Sequence, residues 1–252
     1  MMACGLLLAI PKPAQAQNAD SSWRHGNHAP QSSQHYAFEL RFGPYVPRID
    51  DDFRGSTIPP YQSVFGSDKR VTFGVEVDWQ ALRIPMVGTL GPGIGWSYTH
   101  MSAPAVFATS DNAGTNTTFV TRTPSAETTT LSIMPMYAVA VLRLDVLARE
   151  TPVPLVAYGK AGIGYGIWWA GNDVETQLRG HSWGSHFALG GMLLLDALDS
   201  HAATELDNET GINNSYFFFE WMDARLGGSS TPDPSVLRIG TSTWMMGLAV
   251  EM

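Results

Sequence analysis

The chain has 252 residues, of which 44% are hydrophobic but only 15% are charged, against roughly 25% in an ordinary soluble domain. A formal net charge of −8 argues against nucleic-acid binding, because phosphate recognition needs a basic face. The one cysteine, Cys4, falls in a segment expected to be removed, so disulfides and thiolate metal sites are not expected in the mature chain.

Leu6-Leu7-Leu8-Ala9-Ile10 is a short apolar core, and Ala14-Gln15-Ala16 follows it as a small-x-small cleavage site. Together they read as an export signal over 1–16, with Gln17 as the mature N-terminus. The core is far shorter than the roughly 20 residues of a membrane-spanning helix. No basic stretch precedes it, so the true start codon is expected upstream. Residues 17–35 are polar and lack any hydrophobic period, and they read as a disordered periplasmic leader. His25, His28 and His35 lie in it with no ordered scaffold to present them to a metal.

From Tyr36 onward the dominant period is two. In 71–80, Val71, Phe73, Val75, Val77 and Trp79 oppose Thr72, Gly74, Glu76, Asp78 and Gln80. In 36–45, Phe38, Leu40 and Phe42 oppose Glu39, Arg41 and Gly43. In 90–100, Ile94, Trp96 and Tyr98 oppose Gly93, Gly95 and Ser97. In 129–141, Leu131, Ile133, Tyr137, Val139 and Val141 form the apolar face against Ser132, Ala138 and Ala140. The runs 155–169 and 183–195 set Ile163, Tyr165 and Trp169, then Phe187, Leu189 and Leu193, against glycine-rich faces. Phe217, Phe219 and Trp221 oppose Tyr216 and Glu220, with Phe218 spoiling the polar side, and 244–252 closes the series.

Eight such runs predict an all-β chain, an antiparallel up-and-down barrel. The second face decides its surroundings. A soluble barrel points its apolar face inward and would carry Lys, Glu, Arg and Asp outside. Here the second face is mostly Gly, Ala, Ser and Thr, while the apolar face has more aromatic volume than eight strands enclose. An inverted, transmembrane barrel over 36–252 resolves both problems, with small residues inside and large ones against lipid. An even strand number puts both ends on one side, expected to be the periplasm of a Gram-negative cell. Outer loops are expected over 46–69, 102–127, 171–181 and 223–235, and inner turns over 81–89, 144–153 and 197–213. The composition of 196–206, with Gly211 as a stop, predicts a short periplasmic helix.

Aromatic residues gather at the expected interfaces: Trp96, Tyr98, Trp168, Trp169, Trp183 and Trp221 toward the outer ends, and Tyr36 and Trp79 toward the inner ends. This is the pattern of an aromatic girdle, whose rings join an apolar body to a polar tip. The chain ends in its pattern at Gly247-Leu-Ala-Val250-Glu-Met252. Chains recognised by the barrel assembly machinery of the outer membrane end in such a strand, usually with Phe where this one has Met252.

Five stretches carry a family resemblance: FELRFGPYVPRID (38–50), FGVEVDWQ (73–80), LRLDVLARETPVPLVAYGKAGIGYGIW (142–168), LDNETGINNSYFFFEW (206–221) and TWMMGLAVEM (243–252). In these the chain resembles an uncharacterised family of outer-membrane β-barrel proteins associated with myxobacteria and their relatives. The resemblance implies location and fold, and it carries no substrate or functional residues.

A narrow lumen must neutralise the charge it buries. Arg41 shares the inward parity of Glu39, and the neighbouring strand carries Glu76 and Asp78 at similar depth. Lys160 lies in the half of its strand nearer the termini. These five residues are expected to form an internal ion network that plugs the interior, and a gated ion pathway is the functional alternative. Arg238 is a further candidate for it. His100, with Ser102 two residues on, raises lipid hydrolysis, but no acidic partner shares its face. His186 is expected to be a satisfied interior group. The glycine runs at 91–95 and 159–166 lie inside strands with no helix after them, which excludes a phosphate loop. Asp50, Asp51 and Asp52 read as a solvated loop run. No catalytic, cofactor or metal set is expected. The expected role is structural or surface-interacting, in a monomer surrounded by outer-membrane lipid, with a narrow channel and a lipid-modifying hydrolase as alternatives.

Overall fold

The computed structural model describes residues 35–53, 59–111, 119–151, 153–172, 176–198, 200–227 and 236–252. The expected signal over 1–16 and nearly all of the leader over 17–35 lie outside them. The strands are β1 (Tyr36–Tyr45), β2 (Arg70–Trp79), β3 (Leu82–Ile84), β4 (Gly88–Asp111), β5 (Phe119–Leu144), β6 (Leu155–Asn172), β7 (Thr176–Leu194), β8 (Asn214–Leu226) and β9 (Thr241–Glu251). Every pairing is antiparallel, and β9 returns to β1 with Ala37 opposite Glu251. The seam is sealed by Tyr36 N–H donating to Met252 O at 2.9 Å and Met252 N–H donating to Tyr36 O at 3.0 Å. β3 pairs with β4 where β2 has ended, so the barrel is closed by eight staves.

Side-chain direction follows the pleat, alternate residues pointing to opposite faces. Along β1, Phe38, Leu40 and Phe42 are exposed, whereas Glu39 and Arg41 are 2% and 1% exposed. Along β2, Val71, Phe73 and Val75 are exposed, and Thr72, Glu76 and Asp78 are buried. Charge inside and bare hydrocarbon outside is the reverse of a water-soluble protein. No helix among the described residues is long and apolar enough to cross a membrane.

One strand has the opposite parity from that expected. On β5, Tyr137, Val139 and Val141 are buried in the lumen, while Ala138 and Ala140 face outward. Period two separates two faces without saying which is inward, and here the lumen takes the bulky one. The neighbouring staves make room for it. Gly95 on β4 lies directly opposite Tyr137, and a Cβ there would overlap the tyrosine ring. Gly190 on β7 plays the same part for Tyr158, whose ring would lie 2.6 Å from an added Cβ. Gly95→Ala is therefore expected to cost about 1–3 kcal/mol by overpacking. Urea unfolding in vesicles, followed by tryptophan fluorescence, measures the loss, and an unchanged midpoint would sink this large-against-small packing.

The far end, away from the termini, is more ordered than expected. Most of the expected loop 102–127 is ladder, because β4 and β5 continue to Asp111 opposite Phe119, with a register shift between Pro104 and Val106. The β-branched and aromatic content of Val106, Phe107, Phe119 and Val120 favours extended chain, and 112–118 lie outside the described residues. Beyond Thr129 neither neighbour follows, since β2 pairs with β4 no further than Tyr98 and β6 ends opposite Thr129. The hairpin thus leaves the barrel as a two-stranded ribbon. Of the loop expected at 171–181, residues 171–172 and 176–181 are likewise strand, and β8 runs on to Leu226.

The connection after β1 folds over the barrel mouth as a 3-10 turn (Arg48–Phe53) and helix α1 (Pro60–Phe65). Asp50 is not merely a solvated loop charge. Its carboxylate accepts from Tyr61 N–H at 2.7 Å and Gln62 N–H at 3.0 Å, holding the helix start against the turn. At the end bearing the termini lie α2 (Val146–Glu150) and α3 (Ser200–Thr210). The expected short helix is α3, and Gly211 stops it at φ 73° with its N–H on Asp207 O at 2.9 Å.

Candidate functional site: the charged lumen

The five residues singled out in the sequence meet inside the barrel, each at most 3% exposed. β1 and β2 place Glu39 directly opposite Glu76. Like charges so paired repel, and Lys160 from the far wall comes between them. Its Nζ lies 2.7 Å from Glu39 Oε2 and 2.8 Å from Glu76 Oε1. Glu220 Oε2 follows at 3.7 Å, and the ammonium stands 4.9 Å from the Tyr158 ring centroid. Arg41 ion-pairs with Glu76 and Glu220 and donates to the Tyr137 hydroxyl. Tyr137 in turn donates to Glu76 Oε2 at 2.5 Å.

Nearer the termini, a second cation gathers a second set. Arg143 reaches Glu39 at 3.1 Å, Asp78 at 2.5 Å and Glu251 at 2.9 Å. Glu251 also accepts from Gln80 at 2.6 Å, Tyr216 at 2.8 Å and Asn214 at 3.2 Å. The Tyr158 hydroxyl donates to Glu220 at 2.9 Å. Tyrosine hydroxyls thus supply donors where carboxylates outnumber cations, and buried ions persist only with such partners.

Arg143, Glu220, Glu251 and the tyrosines join this network beyond the residues expected from the sequence. Glu220 and Glu251 do carry inward parity in the sequence. Arg143 lies two residues past the expected run 129–141. Arg238, a candidate for the network, lies instead at the mouth, where it pairs with Asp52 at 2.7 Å. His186 is in the lumen, stacked on Tyr137 at 4.0 Å, with Nε2 lacking a hydrogen-bond partner.

Apolar packing lies on either side of the ions. Toward the mouth, Ile49 and Tyr61 from the covering connection pack with Tyr45, Met101, Trp168 and Ile239. Tyr61 is a helix residue outside the staves, and burial pushes its hydroxyl above the ordinary tyrosine range. Toward the termini, Tyr158, Met192, Tyr216 and Phe218 form a second cluster. Between the ions and the mouth, Thr72, Ser97, Tyr137, His186 and Met222 line a cavity. It offers about 20 Å³ to the centre of a water molecule, space for one or two waters.

Glu39, Glu76 and Asp78 bring ligand atoms within 4.8 Å of one another, a spacing that suits a cation. Lys160 and Arg143 already occupy that position. On the exterior, His100 Nδ1 lies 2.8 Å from Ser132 Oγ rather than pairing with Ser102. Ser132 is 4% exposed, which withholds the hydroxyl from a substrate.

Of the aromatic residues expected in a girdle, Trp79, Trp96, Trp183 and Trp221 are exposed, and Tyr98 and Trp169 are half-buried. Trp168 is not among them. It is 5% exposed and points into the lumen, because consecutive residues of a strand cannot share a face.

These features define a closed eight-stranded barrel with a filled, ionic interior and an apolar exterior. Two solved structures to which the chain is similar are outer-membrane barrels. The attachment invasion locus protein Ail of Yersinia pestis is 9% identical, with 87% of this chain and 97% of that chain covered and a TM-score of 0.41. The N-terminal β-barrel domain of OprF of Pseudomonas aeruginosa is also 9% identical, with 87% and 100% covered and a TM-score of 0.36. No family model matches the chain, and no curated protein matches it.

Proposed function

We propose that the chain is an outer-membrane barrel with a closed lumen, acting as a structural or surface-interaction protein through its far end. The buried ion network carries this reading. Arg41, Lys160 and Arg143 meet their carboxylates across the bore, with apolar packing above and below them. A barrel of eight staves is narrow enough for side chains alone to fill. The exposed hydrocarbon of β1 and β2 supports a lipid setting, and the ribbon of β4 and β5 gives the far end something to present. On this reading the signal over 1–16 directs export, the assembly machinery inserts a monomer, and the termini lie in the periplasm. Membership of the myxobacterial family belongs to the same proposal. No catalytic role is proposed.

Planar-bilayer recording tests the closed lumen. Purified protein is expected to give no reproducible discrete conductance, whereas Arg41→Ala/Lys160→Ala is expected to admit ions. Stable unitary openings of the wild-type protein would overturn the plug in favour of a narrow channel.

A further inference from the structure

The exterior is not equivalent around the barrel. On β9, β1 and β2 it is hydrocarbon: Trp244 and Leu248, then Phe38, Leu40 and Phe42, then Val71, Phe73 and Val75. On β4 to β7, the far half carries a different chemistry. The pairings align His100, Ser132, Trp169 and Arg179 in one row across four strands. The next row inward holds Tyr98 and His181, and the one after it Trp96, Tyr165 and Trp183.

The rings pack in two groups within these rows. Tyr98 stacks on Trp169 at 6.1 Å, and Tyr165 meets His181 at 5.9 Å and Trp183 at 4.5 Å. Trp183 remains 61% exposed. Arg225 stands diagonally beside it, its side chain 69% exposed, although Asp223 partly neutralises it. Among the described residues, no acidic side chain occupies the outward positions of β4 to β7 within these rows.

We propose that this patch binds the phosphorylated sugar headgroup of a glycolipid in the leaflet at the far end. Arg179 presents the forked donors that match a phosphate. His181, two residues along the same strand, and His100, in the same row three strands away, add polar groups to the patch. Exposed indole and phenol faces suit the C–H faces of a sugar ring, which an ordinary phospholipid headgroup lacks. The position suits such a ligand too, since these residues lie at the far edge of the apolar belt, where headgroups begin. A girdle that merely anchors the barrel would need no basic side chains among its rings, whereas Arg179, His100 and His181 stand in the same rows as these aromatic residues. The inference rests on the outer-membrane reading above but not on the closed lumen.

The test uses full-length folded protein in mixed micelles. Its thermal midpoint, read as loss of the heat-modifiable gel band, is followed against added lipid A or against phosphatidylglycerol at equal phosphate. Lipid A is expected to raise the midpoint in a saturable manner, with phosphatidylglycerol having little effect. Arg179→Gln is expected to raise the half-saturating lipid A concentration about tenfold, the loss of one charge-assisted contact. Trp244→Ala on the opposite wall serves as control and should leave that concentration unchanged. Should Arg179→Gln fail to fold, Trp169→Leu replaces it, with the same weakening expected. Equal shifts from both lipids, or an unaltered lipid A response in the variant, would overturn the proposal. Absence of a heat-modifiable band in any lipid or detergent would instead overturn the barrel's membrane location.

Discussion

Replacing Lys160 with methionine is expected to cost about 3–5 kcal/mol of stability, the effect of removing one partner from a buried ion pair. The cause is specific. Glu39 and Glu76 lie opposite each other on adjacent staves, and the Lys160 ammonium bonds both at 2.7 and 2.8 Å. Without it, two carboxylates face each other out of water. Arg41 still reaches Glu76 and Arg143 still reaches Glu39, so the barrel is expected to fold, with a lower midpoint. Urea titration in lipid vesicles measures the loss. Neutralising one side of the repulsion, in Glu39→Gln/Lys160→Met, should restore part of the stability, a coupling that a double-mutant cycle reads directly. A loss below about 1 kcal/mol for the single variant would place Lys160 in the range of a surface ion pair and contradict the geometry.

Arg143→Met is expected to be comparably damaging, at about 3–5 kcal/mol, through different groups. Of its three partners, Glu251 keeps donors from Gln80, Tyr216 and Asn214. Glu39 keeps Lys160. Asp78 has no such reserve, since its Oδ2 bonds Arg143 while its Oδ1 is buried without a hydrogen bond. The penalty should therefore fall mainly on Asp78, and Asp78→Asn is expected to recover most of it in the Arg143→Met background. Urea midpoints of the two singles and the double decide this. If Glu251→Gln rescues and Asp78→Asn does not, Arg143 acts chiefly on the β1–β9 seam.

The staves were legible in the sequence wherever one face was unmistakably lipid-like. Phe38-Glu39-Leu40-Arg41-Phe42 leaves no doubt about which side bears charge, and the β1 and β2 blocks match the structure to about a residue. On β5 the contrast was between valine and alanine, and nothing local shows that Tyr137 turns inward. That depends on Gly95 across the ladder. The outer strand ends were obscured because polar, threonine-rich chain can continue a hairpin with no face to bury, as β4 and β5 do past Thr129.

The lumen was half legible for a related reason. Inward parity marks Glu39, Arg41, Glu76, Asp78 and Lys160 as occupants of one space. Which of them touch is set by the stagger of the staves, a property of the closed barrel and not of any one run. Phe218 concealed Glu220 by making its face look mixed, yet its ring is itself buried in the lumen.

The network also bears on the order in which the chain assembles. Its contacts join residues far apart in the chain, with Lys160 and Glu39 separated by 121 positions and Arg143 and Glu251 by 108. None of these bonds can form within a single hairpin. A half-built sheet would present Glu39 to hydrocarbon with Lys160 still absent, and Arg143 with Glu251 still absent, a costly intermediate. Closure of β9 onto β1 and neutralisation of the interior must therefore come late and nearly together. Contacts of such separation slow folding, and here they also make it all-or-none: the ions buried in the finished barrel penalise every incomplete one.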